Sequence, residues 1–324
     1  MNRPEIVNYY TYSKFLKDRY GERVYKLPIN LPVTCPNRDG EVSTCGCTFC
    51  AENGAGLECL PQKMPVSKQI GINREYIGKR YNAKKFIAYF QNFSNTYLPF
   101  EDFKKYIFEA IDCGDDIVEL AISTRPDCIN NKICDFLQEI QEDKGVNITI
   151  ELGLQTANYH SLIDINRGHT LAEYIIAANL IKGHNLMLTT HVILNLPNDD
   201  IIDVIETAKV LTALKSDFVK IHGLFIVKGT VMAKDYLDKK FTIITPEEYV
   251  ERVAIFLRHI APNIAVQRLI GRSDEEEAIF SNWGRSSWII KEAIEDLLIE
   301  KDYFQGDLCD YLDGRSIKKF YSHL

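Results

Sequence analysis

The sequence predicts an α/β fold built on a parallel sheet, from three observations. Short β-rich apolar runs recur along the chain, helical patterns lie between most of them, and the units repeat at roughly 30-residue intervals, the size of a strand–helix–strand crossover. Six such units suit either a doubly wound sheet or a barrel, and periodicity does not separate the two. The chain has 324 residues, about twice the usual single-domain size, so length admits two compact domains or one large barrel. At 46% hydrophobic and 26% charged it can bury a large core, which excludes disordered and low-complexity classes.

The predicted strands are Val24 to Leu31, Lys85 to Phe90, Ile117 to Ser123, Asn147 to Leu154, Met187 to Leu194 and Phe218 to Val227. Between the second and third, Phe103, Ile107, Ala110 and Ile111 share one helical face, and Ile133, Phe136, Leu137 and Ile140 repeat that pattern after the third. Thr170 with Glu173, and Thr245 with Glu248, spell capping boxes, the second with Pro246 in the first helical turn. Beyond the helix from Pro246 to Ile260 come a further strand signal at Ile264 to Leu269, an acidic loop with Asp274, Glu275, Glu276 and Glu277, and a helix from Ser287 to Glu300. No Pro-, Gly- or Ser-rich linker divides the chain. The expectation is therefore one main domain over 1–262 and a C-terminal extension over 263–324 that covers it.

No apolar run approaches the ~18 residues of a membrane span, and the N-terminal stretch lacks the apolar core and cleavage site of a signal peptide. A cytoplasmic protein without membrane contact is expected. Net charge −7 argues against a generic nucleic-acid coating protein, since phosphate binding draws on clustered Lys and Arg. In a reducing compartment, nine cysteines point to metal or redox chemistry more than to disulfides.

Four of them crowd into CPNRDGEVSTCGCTFC: Cys35, Cys45, Cys47 and Cys50, just beyond the first predicted strand. That is the sheet edge where α/β folds place active sites. Four thiolates within sixteen residues could close a tetrahedral zinc shell, although Cys45 and Cys47 are one residue apart and point different ways on an extended chain. The other reading takes only Cys35, Cys47 and Cys50, with eleven and then two residues between them. Three thiolates on a four-iron cluster leave one iron open for chemistry. Spacing leaves both readings standing.

The remaining motifs favour the second. CPNRDG and GCTFC, then YFQNFSNTY, STRPDC, ELGLQT, NRGHT, a strand ending in LP, KIHGLFIVKGT and RLIGRSDEEE with SNW together resemble the radical S-adenosylmethionine family of the YtqA/YhcC group. That group is similar to the radical half of the Elongator catalytic subunit, and the resemblance runs from Tyr12 to Gly306.

The resemblance implies a partial (β/α)6 barrel with a C-terminal α-rich extension. It also implies a 4Fe-4S cluster on Cys35, Cys47 and Cys50, and S-adenosylmethionine cleaved to a 5′-deoxyadenosyl radical. Phe49, before the last cysteine, would line the adenine pocket. Gln155 and Arg167, twelve residues apart, would hold the methionine and ribose ends, Arg167 through its planar fork. His191 would face the ribose, or else be a buried, hydrogen-bonded core histidine. Gln91 and Asn92 stand where relatives keep a glycine-containing stretch for the amino group, so side-chain amides would substitute. Cys45 replaces a usual glycine, and Asn195 and Asn198 replace glycines of a turn, where Asn tolerates positive φ. Cys128 is expected to be an inert thiol.

A shielded intermediate calls for a cover, which the acidic loop and the Trp283 region would form. Lys63, Lys68, Arg74, Lys79, Arg80, Lys84 and Lys85 face only Glu75, an excess of six positive charges. They form either a solvated helix or a phosphate-tracking patch beside the active site, with Tyr76 and Tyr81 for stacking. The resemblance links the group with tRNA wobble-uridine modification, so tRNA is the expected partner, with a flavodoxin- or ferredoxin-type electron donor. No acetyltransferase half is present in this sequence, so an acetyl-CoA reaction is not expected. The competing functions are a radical enzyme acting on a protein or small metabolite, and a zinc-stabilised binding protein without catalysis.

Overall fold

The computed structural model describes residues 7–51, 59–272, 277–312 and 314–320. In chain order the elements are α1 (Tyr12–Tyr20), β1 (Val24–Asn30), α2 (Val66–Tyr81), β2 (Lys85–Gln91), α3 (Phe100–Ile111), β3 (Ile117–Thr124), α4 (Asn131–Lys144) and β4 (Asn147–Gln155). There follow α5 (Tyr159–Asp164), α6 (Leu171–Gly183), β5 (Met187–Ile193), α7 (Ile201–Ala213), β6 (Phe218–His222), β7 (Ile226–Val227) and α8 (Val231–Leu237). The last are α9 (Pro246–His259), β8 (Ala265–Arg268), β9 (Ala278–Phe280) and α10 (Ser287–Glu300).

Seven strands pair in the order β1-β2-β3-β4-β5-β6-β8, every pair parallel. A doubly wound sheet reverses its strand order midway, whereas this order never turns back, which is the winding of a barrel. Side chains show the curl. Val24 of β1, Ile87 and Tyr89 of β2, Ala121 of β3, Phe218 of β6 and Ala265 of β8 meet in one buried cluster with Tyr12 and Leu16 of α1. The Phe218 ring stands edge-on to Tyr12 and Phe15, with centroids 5.0 and 4.7 Å away. Helix α1 thus fills the floor of the half-barrel, and the backbone bond from Val266 N to Tyr10 O (2.8 Å) ties its start to β8.

The larger core lies outside the sheet. Phe103 and Ile107 of α3, Phe136 and Leu137 of α4, Tyr174 and Ile181 of α6 and Phe256 and Leu257 of α9 bury their apolar stripes against the outward faces of the strands. Both predicted capping boxes form, at Thr170 with Glu173 and at Thr245 with Glu248. Helix α10 buries Ile290, Ile294 and Leu298 in the same core, beside α9. Among the described residues no helix is long and apolar enough to cross a membrane.

Two expectations need correction. The predicted run Phe218 to Val227 is broken: β6 stops at His222, and Ile226–Val227 pairs antiparallel with β9 in a separate ribbon. The signal at Ile264 to Leu269 is the seventh strand of the main sheet, pairing with β6, so the sheet continues past residue 262. A strand pairs wherever an unsatisfied parallel edge is offered, and β6 offered one.

Phe218 is fully buried where α1 meets the sheet. Phe218→Ala is expected to lower unfolding free energy by about 3–5 kcal/mol, measured by urea denaturation.

Candidate cluster and cofactor site

The chain leaving β1 enters the segment from Thr34 to Ala51, and local bonds fold it into two turns. Arg38 N bonds Cys35 O (2.8 Å) and Cys50 N bonds Cys47 O (3.0 Å), so each turn carries cysteines of the predicted set. Cys47 is buried and Cys35 and Cys50 are half-buried. Burial first, then the adjoining Cys47 and more weakly Cys35, push the Cys50 thiol up, against the pull of Arg38. Cys45 is exposed, its thiol 3.8 Å from Thr44 Oγ1. Among the described residues no three His, Cys, Asp or Glu side chains converge on a single metal ion.

This segment is docked on the loop after α5. Asn37, fully buried, donates from Nδ2 to Asn166 O (2.6 Å), while Asn166 Nδ2 donates to Gly46 O (2.7 Å). Thr48 N bonds Ile165 O (3.0 Å), and Met232 N bonds Thr48 O (2.9 Å). Gly168 has φ +75°, and a Cβ there would stand 2.5 Å from Asn37 Oδ1 and 2.6 Å from Val42 Cγ1. Only glycine permits this approach.

Arg167 follows at once. Its Nη2 donates to Gly153 O (2.7 Å) and its Nη1 lies 3.5 Å from Cys47 Sγ. Gln155, at φ 78°, folds its amide over the same glycine: a Cβ on Gly153 would be 2.6 Å from Arg167 Nη2 and 2.8 Å from Gln155 Nε2. Gln155, Arg167 and the thiols therefore share one place. Arg125, not singled out from the sequence, is the girder behind them: its guanidinium grips Asp127 (2.8 and 2.7 Å) and donates to Arg167 O (2.9 Å). Burial works against its charge and Asp127 outweighs it, so it stays a cation. Burial, then Arg167 and Arg125, push His169 down to about 3, so this histidine is neutral beside the Gly153 carbonyl (3.1 Å).

Phe49 is half-buried against the apolar cluster of Ile193, Leu196, Leu224 and Ile226. Gln91 bonds Cys59 Sγ (2.8 Å), and Asn92, at φ 71°, bonds Asn30 Oδ1 (3.1 Å), in the turn that docks on Thr34 through Ser94 N (3.4 Å). His191 is half-buried, hydrogen-bonded to Glu151 (2.8 Å) and stacked on His222 at 5.1 Å. Cys128 borders a cavity of about 550 Å³ with Pro36, Tyr97 and Lys132, and burial pushes its thiol up to about 12.

Three further expectations are revised. Neither Asn195 nor Asn198 takes positive φ; side-chain bonds to Leu224 N (2.7 Å) and Asp164 (2.6 Å) hold the turn instead. Trp283 is an anchor, donating to Ile244 O (2.8 Å) between Tyr249 and Phe280, while Asp274, Glu275 and Glu276 lie outside the described residues. The basic run does not gather beside the thiols. Gln69 clasps Asn30 near the start of α2, and the helix then runs roughly 18 Å to Tyr81 at 1.5 Å per residue, carrying Lys79 and Arg80 toward the start of β2, where Lys84 and Lys85 lie. There Arg74 pairs with Asp116 (2.9 Å), Lys85 with Glu22 (3.4 Å), and Tyr81 stacks on Tyr25.

Four buried polar atoms near this loop, Asn37 Oδ1, Thr48 Oγ1, Asn92 Oδ1 and Arg167 Nε, have no partner among the described residues. Native interiors satisfy such atoms, so they fit a site built for a bound group. Cys47 beside Arg167 and Gln155, at the mouth of a parallel half-barrel, is an arrangement compatible with a radical S-adenosylmethionine enzyme. Comparison agrees: residues 29–211 match the Radical SAM superfamily and residues 216–300 the Radical SAM C-terminal domain. The chain belongs to the radical SAM superfamily, whose members use a 4Fe-4S cluster and S-adenosylmethionine. It is 33% identical over 308 residues to the protein YtqA of Bacillus subtilis (strain 168), covering 95% of both chains. Over 149 residues it is 28% identical to the tRNA uridine(34) acetyltransferase of Methanocaldococcus jannaschii, covering 45% of this chain and 26% of that protein. The structure of the archaeal Methanocaldococcus infernus Elp3 with an N-terminal deletion shares the fold at TM-score 0.65 and 17% identity, over 87% of this chain and 64% of that one.

Gly168→Ala is expected to loosen the docked cysteine loop, at roughly 1–3 kcal/mol for a strained backbone. A lowered thermal midpoint together with faster thiol labelling would show it.

Proposed function

We propose that this chain is a radical enzyme of tRNA wobble-uridine modification, with Cys35, Cys47 and Cys50 holding the cluster. Arg167, which bonds Gly153 O beside the Gln155 amide and reaches Cys47 Sγ, carries the radical part of this reading. The likeness to the tRNA uridine(34) acetyltransferase supports the substrate. When bound, the cluster and S-adenosylmethionine supply one-electron cleavage to a 5′-deoxyadenosyl radical.

The chain's own contribution is placement and exclusion. Arg167 offers its unpartnered Nε–H to the cofactor's carboxylate, while Arg125 keeps the Arg167 backbone in place. Gln155 and Asn92 present amides from the ends of β4 and β2. Phe49 and the β7–β9 ribbon wall off one side of the mouth with apolar surface, which keeps water from a reactive intermediate. Cys45, facing solvent, has no part in holding iron.

Cys47→Ala should abolish bound iron and sulfide in protein purified without oxygen, while Cys45→Ala retains both near wild-type level. Equal loss in the two variants would overturn the ligand assignment. The substrate is tested by mass spectrometry of tRNA nucleosides from cells with and without the protein. Loss of a modified wobble uridine is expected, and an unchanged profile would turn the assignment to a protein or small metabolite.

A further inference from the structure

The half-barrel holds a second polar assembly that cofactor binding leaves unused. Strand register sets Gly153, His191, Lys220 and Arg268 side by side across β4, β5, β6 and β8. At about 4.8 Å per strand, Arg268 stands roughly 14 Å along the curve of the sheet from the glycine that touches Arg167.

One pleat below Gly153, Glu151 is fully enclosed and takes Lys26 (2.5 Å), His191 (2.8 Å) and Lys220 (3.2 Å). Lys220 also donates to Tyr89 OH (2.8 Å), and Lys26 to Gln267 (2.9 Å). Burial works against the charge on Glu151, and Lys220, Lys26 and His191 outweigh it, so the carboxylate stays ionised. Burial pushes Lys220 down to about 7.

Among the described residues no carboxylate pairs with Arg268. A register shift between Val219 and Lys220 lets both Gln267 and Arg268 reach inward, as a bulge does when it re-aims a side chain. The Arg268 guanidinium donates to His222 Nδ1 (2.5 Å), which makes that imidazole a neutral acceptor, and its Nε–H is buried without a partner. Lys26 and Lys220 thus take the carboxylate of Glu151 between them, while Arg268 is bonded to His222. Glu119 sits a layer deeper and is taken by Tyr20 and Thr149 (both 2.8 Å). Gly271 passes close to Arg268: a Cβ there would lie 3.3 Å from Arg268 Nη2 and 3.2 Å from the Phe225 ring. Among the described residues this half-buried cation is bonded to a neutral imidazole alone and its Nε–H is unpartnered, which an incoming oxyanion would relieve.

We infer that Arg268, with Lys220 and His222, forms an oxyanion-binding site in the barrel that receives a carboxylate or phosphate of the substrate. This goes beyond the proposed tRNA reaction and does not depend on it, because it rests on the Arg268–His222 geometry and the unpartnered Arg268 Nε–H.

The test uses the full-length protein purified without oxygen and follows its thermal midpoint against inorganic phosphate and against acetate, with chloride holding ionic strength constant. In wild type, one of the two anions should raise the midpoint saturably. Preference for phosphate marks a nucleotide-type substrate, and preference for acetate a carboxylate one. Arg268→Gln should weaken the apparent affinity at least tenfold and should be no less stable than wild type in chloride alone. Lys220→Met should weaken the affinity too, whereas Lys79→Ala, far off on α2, should not change it. Equal anion response in wild type and Arg268→Gln, or no saturable response to either anion, would overturn the site. A merely structural arginine would lower the midpoint in chloride on replacement and leave anion dependence as it was. The nucleoside profile is read separately, so failure of either idea leaves the other standing.

Discussion

The site depends on the burial of one amide. Asn37 lies at zero exposure between the cysteine segment and the loop after α5, and can be there only because Gly168 has no side chain to occupy its space. Through Asn37 and Asn166 two irregular loops satisfy each other's backbone groups, which lets non-repetitive chain be packed away from water. Arg167 is the next residue but one from Ile165, which Thr48 bonds, so the clasp that orders the thiols also aims the guanidinium. The cysteine segment and Arg167 are positioned by one set of contacts.

The rigid frame behind that clasp is the curl of the sheet. Apolar side chains from β1, β2, β3, β6 and β8 meet on the floor with α1, and the polar residues of the next layer stand above them around Glu151. The gradient from greasy floor to charged middle to open mouth lies along each strand's inward positions, two residues apart. This layering sets the ionised groups between the apolar floor and the mouth.

Much of this was readable from the sequence, and the failures have physical causes. Strands β1 to β5 announce themselves as β-branched runs because parallel strands are covered on both faces. The β7–β9 ribbon is two and three residues long, too short for any periodic signal, and β8 could be placed in the sheet only by knowing that β6 had a free edge. CxxC spacing exposes the thiols, and the twelve-residue step from Gln155 to Arg167 matches two side chains that meet at Gly153. Arg125 and Arg268 escaped notice because their significance lies in partners 42 and 46 residues away. The charges of α2 were miscounted for the same reason: Asp116 and Glu22, which pair with two of them, belong to other segments.

The row from Gly153 to Arg268 has an implication for how such a protein can change over time. Side chains alternate between the two faces of a strand, so inserting or deleting one residue inside β4, β5 or β6 would turn its chamber-lining groups toward the helices. The outer connections carry no such phase and can lengthen freely. Variation in this lineage is thus channelled: the rim may be rebuilt to admit new molecules, while the inner staves must keep their count.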